Sequence, residues 1–320
     1  MRDFTLLLSK LTNPTLLFFL LGIIAVLIKS DMEIPASSAK FISLYLLFSI
    51  GFKGGQELAH STLSNEIIYS LLFGIFLASC IPIYVFFILK KRMSVSDAGA
   101  VAAAYGSVSA VTFVAAVSFL EAQKLQFDGH MVAVMALMEA PAIVMAVILI
   151  MNYEKQEDSR GIGNILHHSL TNGSVLMIFG SMIIGYIADT KQAEGIKPFT
   201  TDIFKGFLAI FLLEMGMVTA QRFSSFRKYG LAATLYGILF PAINGSLTAF
   251  ISHGITDNPG NRLIFSILAA SASYIAVPAA MRLAAPKADP GLYIPMALGV
   301  TFPFNITVGI PLYYTIILHT

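Results

Sequence analysis

Two stretches place small hydroxyl residues where a helix would otherwise run: 106–112 (Gly-Ser-Val-Ser-Ala-Val-Thr) and 270–278 (Ala-Ser-Ala-Ser-Tyr-Ile-Ala-Val-Pro). Each lies midway along an apolar run. Glycine and serine weaken a helix, and Pro278 has no N–H for the carbonyl one turn back. A helix broken at this point exposes the first amides of its second half, which carry partial positive charge. Two such ends facing each other would bind a small anion, with hydroxyls added by Ser107, Ser109, Thr112, Ser271 and Ser273. The same residue types also serve close helix packing. The presence of a matching stretch in each half of the chain favours the site. Neither stretch contains Lys or Arg, so an anion there needs amides, hydroxyls and a companion cation.

Oxygen ligands for that cation come from the segments around two prolines. Glu139 precedes Pro141 in mid-run, where a charge costs roughly 2.5–3.5 kcal/mol on insertion scales. The corresponding region of the second half holds Thr301, Pro303 and Asn305. Carboxylate, amide and hydroxyl oxygens beside proline-freed carbonyls suit a hard monovalent ion. Thr112 and Tyr274, beside the two breaks, complete the candidate cation set of Thr112, Glu139, Tyr274, Thr301 and Asn305. The alternative for Glu139 is a protonated carboxyl or a pairing with a neighbouring helix. Catalytic chemistry finds no foothold: there is no HExxH pair, no phosphate-cradling Gly-Lys-Ser/Thr loop and no GxSxG elbow. No cofactor and no transition metal is expected.

The elements that position these residues follow from composition. Of 320 residues, 57% are hydrophobic and 12% charged, half the charge of an average soluble domain. Water cannot solvate such a surface, so lipid must. A net charge of +2 gives no argument for nucleic acid as a partner. Runs of about 20 apolar residues, enough to cross a bilayer, number ten. The first five are 11–28, 37–58, 67–89, 98–119 and 131–151; the second five are 165–188, 203–223, 229–253, 263–283 and 291–318. The fold class is therefore all-α, an integral membrane protein of ten transmembrane helices with the fourth and ninth interrupted. Twelve Lys and Arg fall on one side of that topology and eight on the other, the richer side holding Lys90-Lys91-Arg92 and Arg222, Arg227 and Lys228. The positive-inside rule places that side in the cytoplasm and both termini outside.

The chain also reads as a duplicate. Leu11-Thr12-Asn13 recurs as Leu170-Thr171-Asn172, and Gly51 with Gln56 as Gly216 with Gln221. Ser107-Val108-Ser109 recurs as Ser271-Ala272-Ser273, and Ala136-Leu137 with Pro141 as Ala297-Leu298 with Pro303. The offsets are collinear and run from 159 to 165 residues. This divides the chain into a first repeat, 1–152, a polar cytoplasmic hinge, 153–164, and a second repeat, 165–320. A five-span unit is odd, so its copy enters the membrane inverted, as in secondary transporters whose substrate sits near the midplane.

These residues resemble the sodium-dependent bicarbonate transporters described from cyanobacteria and their bacterial relatives. The resemblance covers nearly the whole chain. It is most specific in 106–112, Leu120-Glu121, 138–142 (Met-Glu-Ala-Pro-Ala), 269–273 and Gly309-Ile310-Pro311-Leu312. It implies two inverted five-helix repeats, a core part moving against a gate part that often trimerises, and cotransport of bicarbonate with sodium across the bacterial inner membrane. It also implies an anion site at Gly106, Ser107, Val108, Ser109, Ser271, Ala272 and Ser273. Where the family carries an acidic residue and then Gly-Pro-Pro after the last serine, this chain has Tyr274 and then Val277-Pro278-Ala279. Regulation by a nitrogen-regulator-like cytoplasmic protein is a family trait that the short hinge does not support. Two other readings are a symporter for another small carboxylate or anion, and a transport-inactive sensor or scaffold of the same fold.

Overall fold

The computed structural model describes residues 14–60, 64–154, 173–226, 230–274 and 276–320. The hinge beyond Glu154 and both copies of the Leu-Thr-Asn motif lie outside them. The described residues are helical, without strand, and are labelled here in chain order. The first half holds α1 (Pro14–Leu27), α2 (Ala36–His60), α3 (Asn65–Leu89), α4 (Val95–Gly106), α5 (Ala110–Ala122) and α6 (His130–Tyr153). The second half holds α7 (Gly173–Ile187), α8 (Thr190–Lys197), α9 (Phe204–Phe226), α10 (Gly230–Ile251), α11 (Pro259–Ala270) and α12 (Ala276–Ala284). The last helix, α13, runs over Pro290–His319.

Five segments among the described residues are long and apolar enough to cross a membrane by length and composition: α3, α4 with α5, α6, α10 extended to Gly254, and α13. The chain is a multi-pass membrane protein. Polar residues also run along two further helices, Lys40, Lys53, Gln56 and Glu57 in α2 and Lys205 and Glu214 in α9, and a break separates α11 from α12. Large apolar side chains on α1, α3, α7 and α10 face outward, among them Ile24, Leu72, Ile184 and Leu247, as a lipid-solvated belt requires.

Two packing groups organise the helices. In one, α1 lies along α9 and α2 along α7. Each crossing is close because a glycine from each helix meets the other's backbone: a Cβ on Gly216 would lie 2.0 Å from the Phe19 carbonyl oxygen, and one on Gly22 2.0 Å from that of Leu213. Gly55 and Gly185 do the same between α2 and α7, at 2.1 Å from the Met182 oxygen and 2.2 Å from the Phe52 oxygen. Small residues at such crossings let backbones approach where apolar burial gives no advantage over lipid. Gly216→Val is therefore expected to separate α1 from α9 and to remove the monodisperse peak in detergent size-exclusion chromatography. A wild-type profile would contradict this packing.

In the other group, α3, α4 and α6 pack together, and α10 packs on α11 and α13. The broken segments cross between these trios, α11 on α5 and α12 on α4. They form the interior of the protein: 94% of the apolar window of α4 and α5 is buried, against 44% for α3. Prolines mark the surrounding helices, with Pro82 inside α3, Pro141 inside α6 and Pro241 inside α10. In α13, Pro295, Pro303 and Pro311 cannot donate to the preceding turn, and the helix passes through π turns at Ala297–Thr301 and Asn305–Gly309.

The loops sort into two faces. On one, Asn261 donates to Asp128 at 2.6 Å, Thr256 bonds Glu66, and Lys205 pairs with Glu121 at 3.2 Å. On the other, Ser96 bonds Glu154, Lys287 pairs with Glu154 at 3.0 Å, and the Asp289 amide donates to Asp97 at 2.8 Å. The Ser96 hydroxyl, and secondarily Lys287, holds the Glu154 carboxyl below the usual carboxylate range. A depressed carboxyl contributes stability above its unfolded pKa and loses it as pH falls through the folded value. Ser96→Ala is thus expected to melt below wild type at pH 7, with the two melting curves converging under acid. A gap that persisted under acid would contradict this role.

Candidate functional site

The site is built from the two breaks. α4 ends at Gly106, where a Cβ would lie 2.2 Å from Cγ of Pro82 and 3.2 Å from Ala142, so no larger residue fits between α3 and α6. Ser107 follows in an extended conformation, φ −83° and ψ 179°. Ser271 leaves α11 in nearly the same way, φ −79° and ψ 166°. The two ends are tied to each other rather than to lipid or water. The Ser109 amide donates to Ser271 Oγ at 2.9 Å, and the Ser273 amide donates to the Ala104 carbonyl at 2.8 Å. Each break thus satisfies backbone that the other has freed, as irregular backbone inside a membrane must.

Ser109 then caps α5, its hydroxyl accepting from the Thr112 amide at 3.2 Å. That leaves Ala110 and Val111 as first-turn residues whose amides have no intrahelical acceptor. Both line a cavity of about 50 Å³ together with Val108, Ser109, Ser273 and Tyr274 from the breaks. α6 contributes Met135, Ala136 and Glu139, and α2 and α9 contribute Ser43, Leu46, Leu47 and Phe211. One water needs roughly 10–15 Å³ of such volume, so the cavity takes a few water-sized groups and no more.

The expected site residues are therefore distributed unevenly. Val108, Ser109, Ser273, Glu139 and Tyr274 share the cavity wall. Gly106, Ser107, Ser271 and Ala272 are buried in the breaks behind it. Ser107 Oγ has no hydrogen-bond partner although the residue is fully buried, an orphan donor inside the break. Thr112 is buried one turn along α5. Thr301 and Asn305 lie apart from the cavity and hold other helices. Thr301 donates to the Gly237 carbonyl at 2.8 Å and meets the Tyr105 hydroxyl at 2.7 Å. Asn305 donates at 2.9 Å to the Ala270 carbonyl, the acceptor freed where α11 ends, and lies 3.2 Å from the Tyr313 hydroxyl. The Tyr274 hydroxyl reaches Met215 Sδ on α9 at 3.7 Å.

Sequence reasoning did not find Ser43, Met135 or Phe211. Each sits in an ordinary apolar run and reaches the cavity only because α2, α6 and α9 close around the breaks. Nor did it find the second cavity, of about 760 Å³, which lies along the same helices toward the face carrying Glu66 and Asp128. α5 gives Val111 and Val114 to the small cavity and Val117 and Leu120 to the large one; α2 gives Leu46 and Leu47, then Ile50, Lys53 and Gly54. The large cavity is a vestibule stacked on the small one.

No curated protein matches this chain. Residues 14–318 match the family model of the Na+-dependent bicarbonate transporter superfamily, which covers both breaks, both cavities and every candidate site residue. The chain belongs to that superfamily and is a membrane transporter that couples anion movement to sodium, not an enzyme.

Proposed function

We propose that this chain takes up bicarbonate, or an anion of similar size, across the bacterial inner membrane, with the anion held in the small cavity between the breaks. One observation carries the assignment. The reciprocal Ser109–Ser271 and Ser273–Ala104 bonds lock the two breaks together at a cavity that also contains a membrane-embedded carboxylate, Glu139. The first-turn amides of α5 and the hydroxyls of Ser109 and Ser273 are the anion's donors. Glu139 and the Tyr274 phenol are the sodium's oxygen ligands. Anion and cation neutralise each other in a site that holds no Lys or Arg.

Two repeats, 1–152 and 165–320, inverted about the hinge 153–164, account for the paired features. These are α1 on α9 with α2 on α7, the trio α3, α4 and α6 with the trio α10, α11 and α13, and the matched serine backbones at Ser107 and Ser271. Alternating access is then movement of the glycine-crossed group, α1, α2, α7 and α9, against the trios. Leu46, Leu47 and Phe211 slide past the cavity and close it from the vestibule. With both termini outside, the vestibule faces the exterior. Outward lipid-facing surfaces on α1 and α7 fit assembly as a homo-oligomer, a trimer in the family's manner.

The cavity's size tests the substrate. Labelled bicarbonate uptake is expected to fall with excess nitrate or formate and to be unaffected by succinate. Strong competition by succinate together with none from the small anions would point to a different carboxylate substrate.

A further inference from the structure

The vestibule wall contains a cluster that the anion site does not use. Ligand atoms of Glu66, Asp128 and His130 lie within 4.8 Å of one another, drawn from the first turn of α3 and from the α5–α6 connection with the start of α6. All three line the large cavity. His130 is only 4% exposed, and Ser70 lies 3.2 Å from its Nε2.

Two carboxylates at this separation repel, and proteins ordinarily place a Lys or Arg between them. Among the described residues, Lys205 pairs with Glu121, Lys287 with Glu154, and neither Glu66 nor Asp128 forms an ion pair with Lys or Arg. Both carboxylates are instead oriented by neutral donors from the opposite half of the chain. Thr256 donates to Glu66, and Asn261 and Asn258 donate to Asp128 at 2.6 and 3.4 Å. Neutral donors of this kind orient metal ligands without competing for their charge. The cavity's other charged lining is Lys53 and Glu121, so the wall carries three carboxylates against one Lys.

From this convergence we infer that Glu66, Asp128 and His130 bind one first-row divalent cation, of which Zn²⁺ is the fitting probe. One imidazole nitrogen with two carboxylate oxygens matches the ligand preferences of zinc and its neighbours, whereas Mg²⁺ and Ca²⁺ favour oxygen alone. Ligand bonds of about 2.0–2.2 Å place tetrahedral ligand atoms roughly 3.3–3.6 Å apart. Binding therefore draws in any pair that lies near the 4.8 Å limit, and the fourth position opens to the vestibule.

The site is distinct from the transport cavity, so its test needs no transport. The full-length chain, purified in detergent without a polyhistidine tag, is titrated with ZnCl₂ by calorimetry. One ion per chain is expected, with affinity reduced at least tenfold in Glu66→Gln and in His130→Gln, and unchanged in Glu121→Gln, a vestibule carboxylate outside the cluster. Zinc-edge X-ray absorption is expected to report one imidazole among oxygen ligands. If His130→Gln disturbs folding by removing the contact to Ser70, Glu66→Gln and the absorption spectrum still decide the matter. Absence of saturable binding, or equal affinity in wild type and Glu66→Gln, would overturn the site.

Discussion

Replacing Ser273 by Leu is expected to abolish anion uptake, by at least about 100-fold, in a protein that inserts and purifies like the wild type. Ser273 lines a cavity of only about 50 Å³, and a branched side chain there occupies the anion's place. Its hydroxyl is removed as well, and a polar group left unmatched in a buried site costs about 1–3 kcal/mol. With each 1.4 kcal/mol worth roughly a factor of ten, steric loss and donor loss together reach the stated magnitude. The backbone contribution is untouched, because the bond to the Ala104 carbonyl comes from the Ser273 amide. Folding should survive for that reason. Ser273→Ala separates the two effects: it keeps the cavity open and is expected to lose about tenfold. Initial rates of labelled bicarbonate uptake in proteoliposomes measure both, and wild-type rates from Ser273→Leu would place the anion elsewhere.

The second large effect belongs to Glu139. Glu139→Gln keeps the shape of the side chain and removes the charge, and it is expected to raise the sodium concentration for half-maximal uptake by at least about tenfold. Glu139→Asp keeps the charge but shortens the reach, and should fall between. The cavity offers an anion no Lys or Arg, and opposite charges interact far more strongly in a membrane interior than in water. Loss of the carboxylate therefore weakens sodium first and bicarbonate through it. If Glu139 instead only holds neighbouring helices, Glu139→Gln would lower the amount of folded protein while leaving the sodium dependence of the surviving fraction unchanged.

How much of this was legible before any coordinates depends on what each residue answers to. The breaks could be read because glycine and serine in mid-run conflict with the surrounding apolar sequence, and because the conflict occurs twice. Glu139 stood out because a carboxylate in lipid is costly, and it lines the small cavity. Thr301 and Asn305 show the limit of such reasoning. Their types suit ion ligation, yet Asn305 bonds the carbonyl that the α11 break leaves unpaired, and Thr301 ties α13 to α10 through Gly237. The sequence names the polar group but not which orphan it serves. Ser43 and Phe211 carried no signal at all, since their importance comes from which helix lies opposite. The Glu66, Asp128 and His130 cluster was equally hidden: Glu66 and His130 are separated by most of α3, both halves of the broken span and their connections. The glycines of the α1–α9 and α2–α7 crossings were visible as residues, but only the 2.0–2.2 Å approaches explain them.

The most direct measurement of the central claim is uptake of labelled bicarbonate into proteoliposomes carrying the wild-type chain, with an inward sodium gradient or an equal potassium gradient. Accumulation is expected to be driven by sodium and to collapse when potassium replaces it and when Ser273→Leu replaces the wild type. Equal accumulation with either cation, or none with both while the protein remains folded, would contradict it.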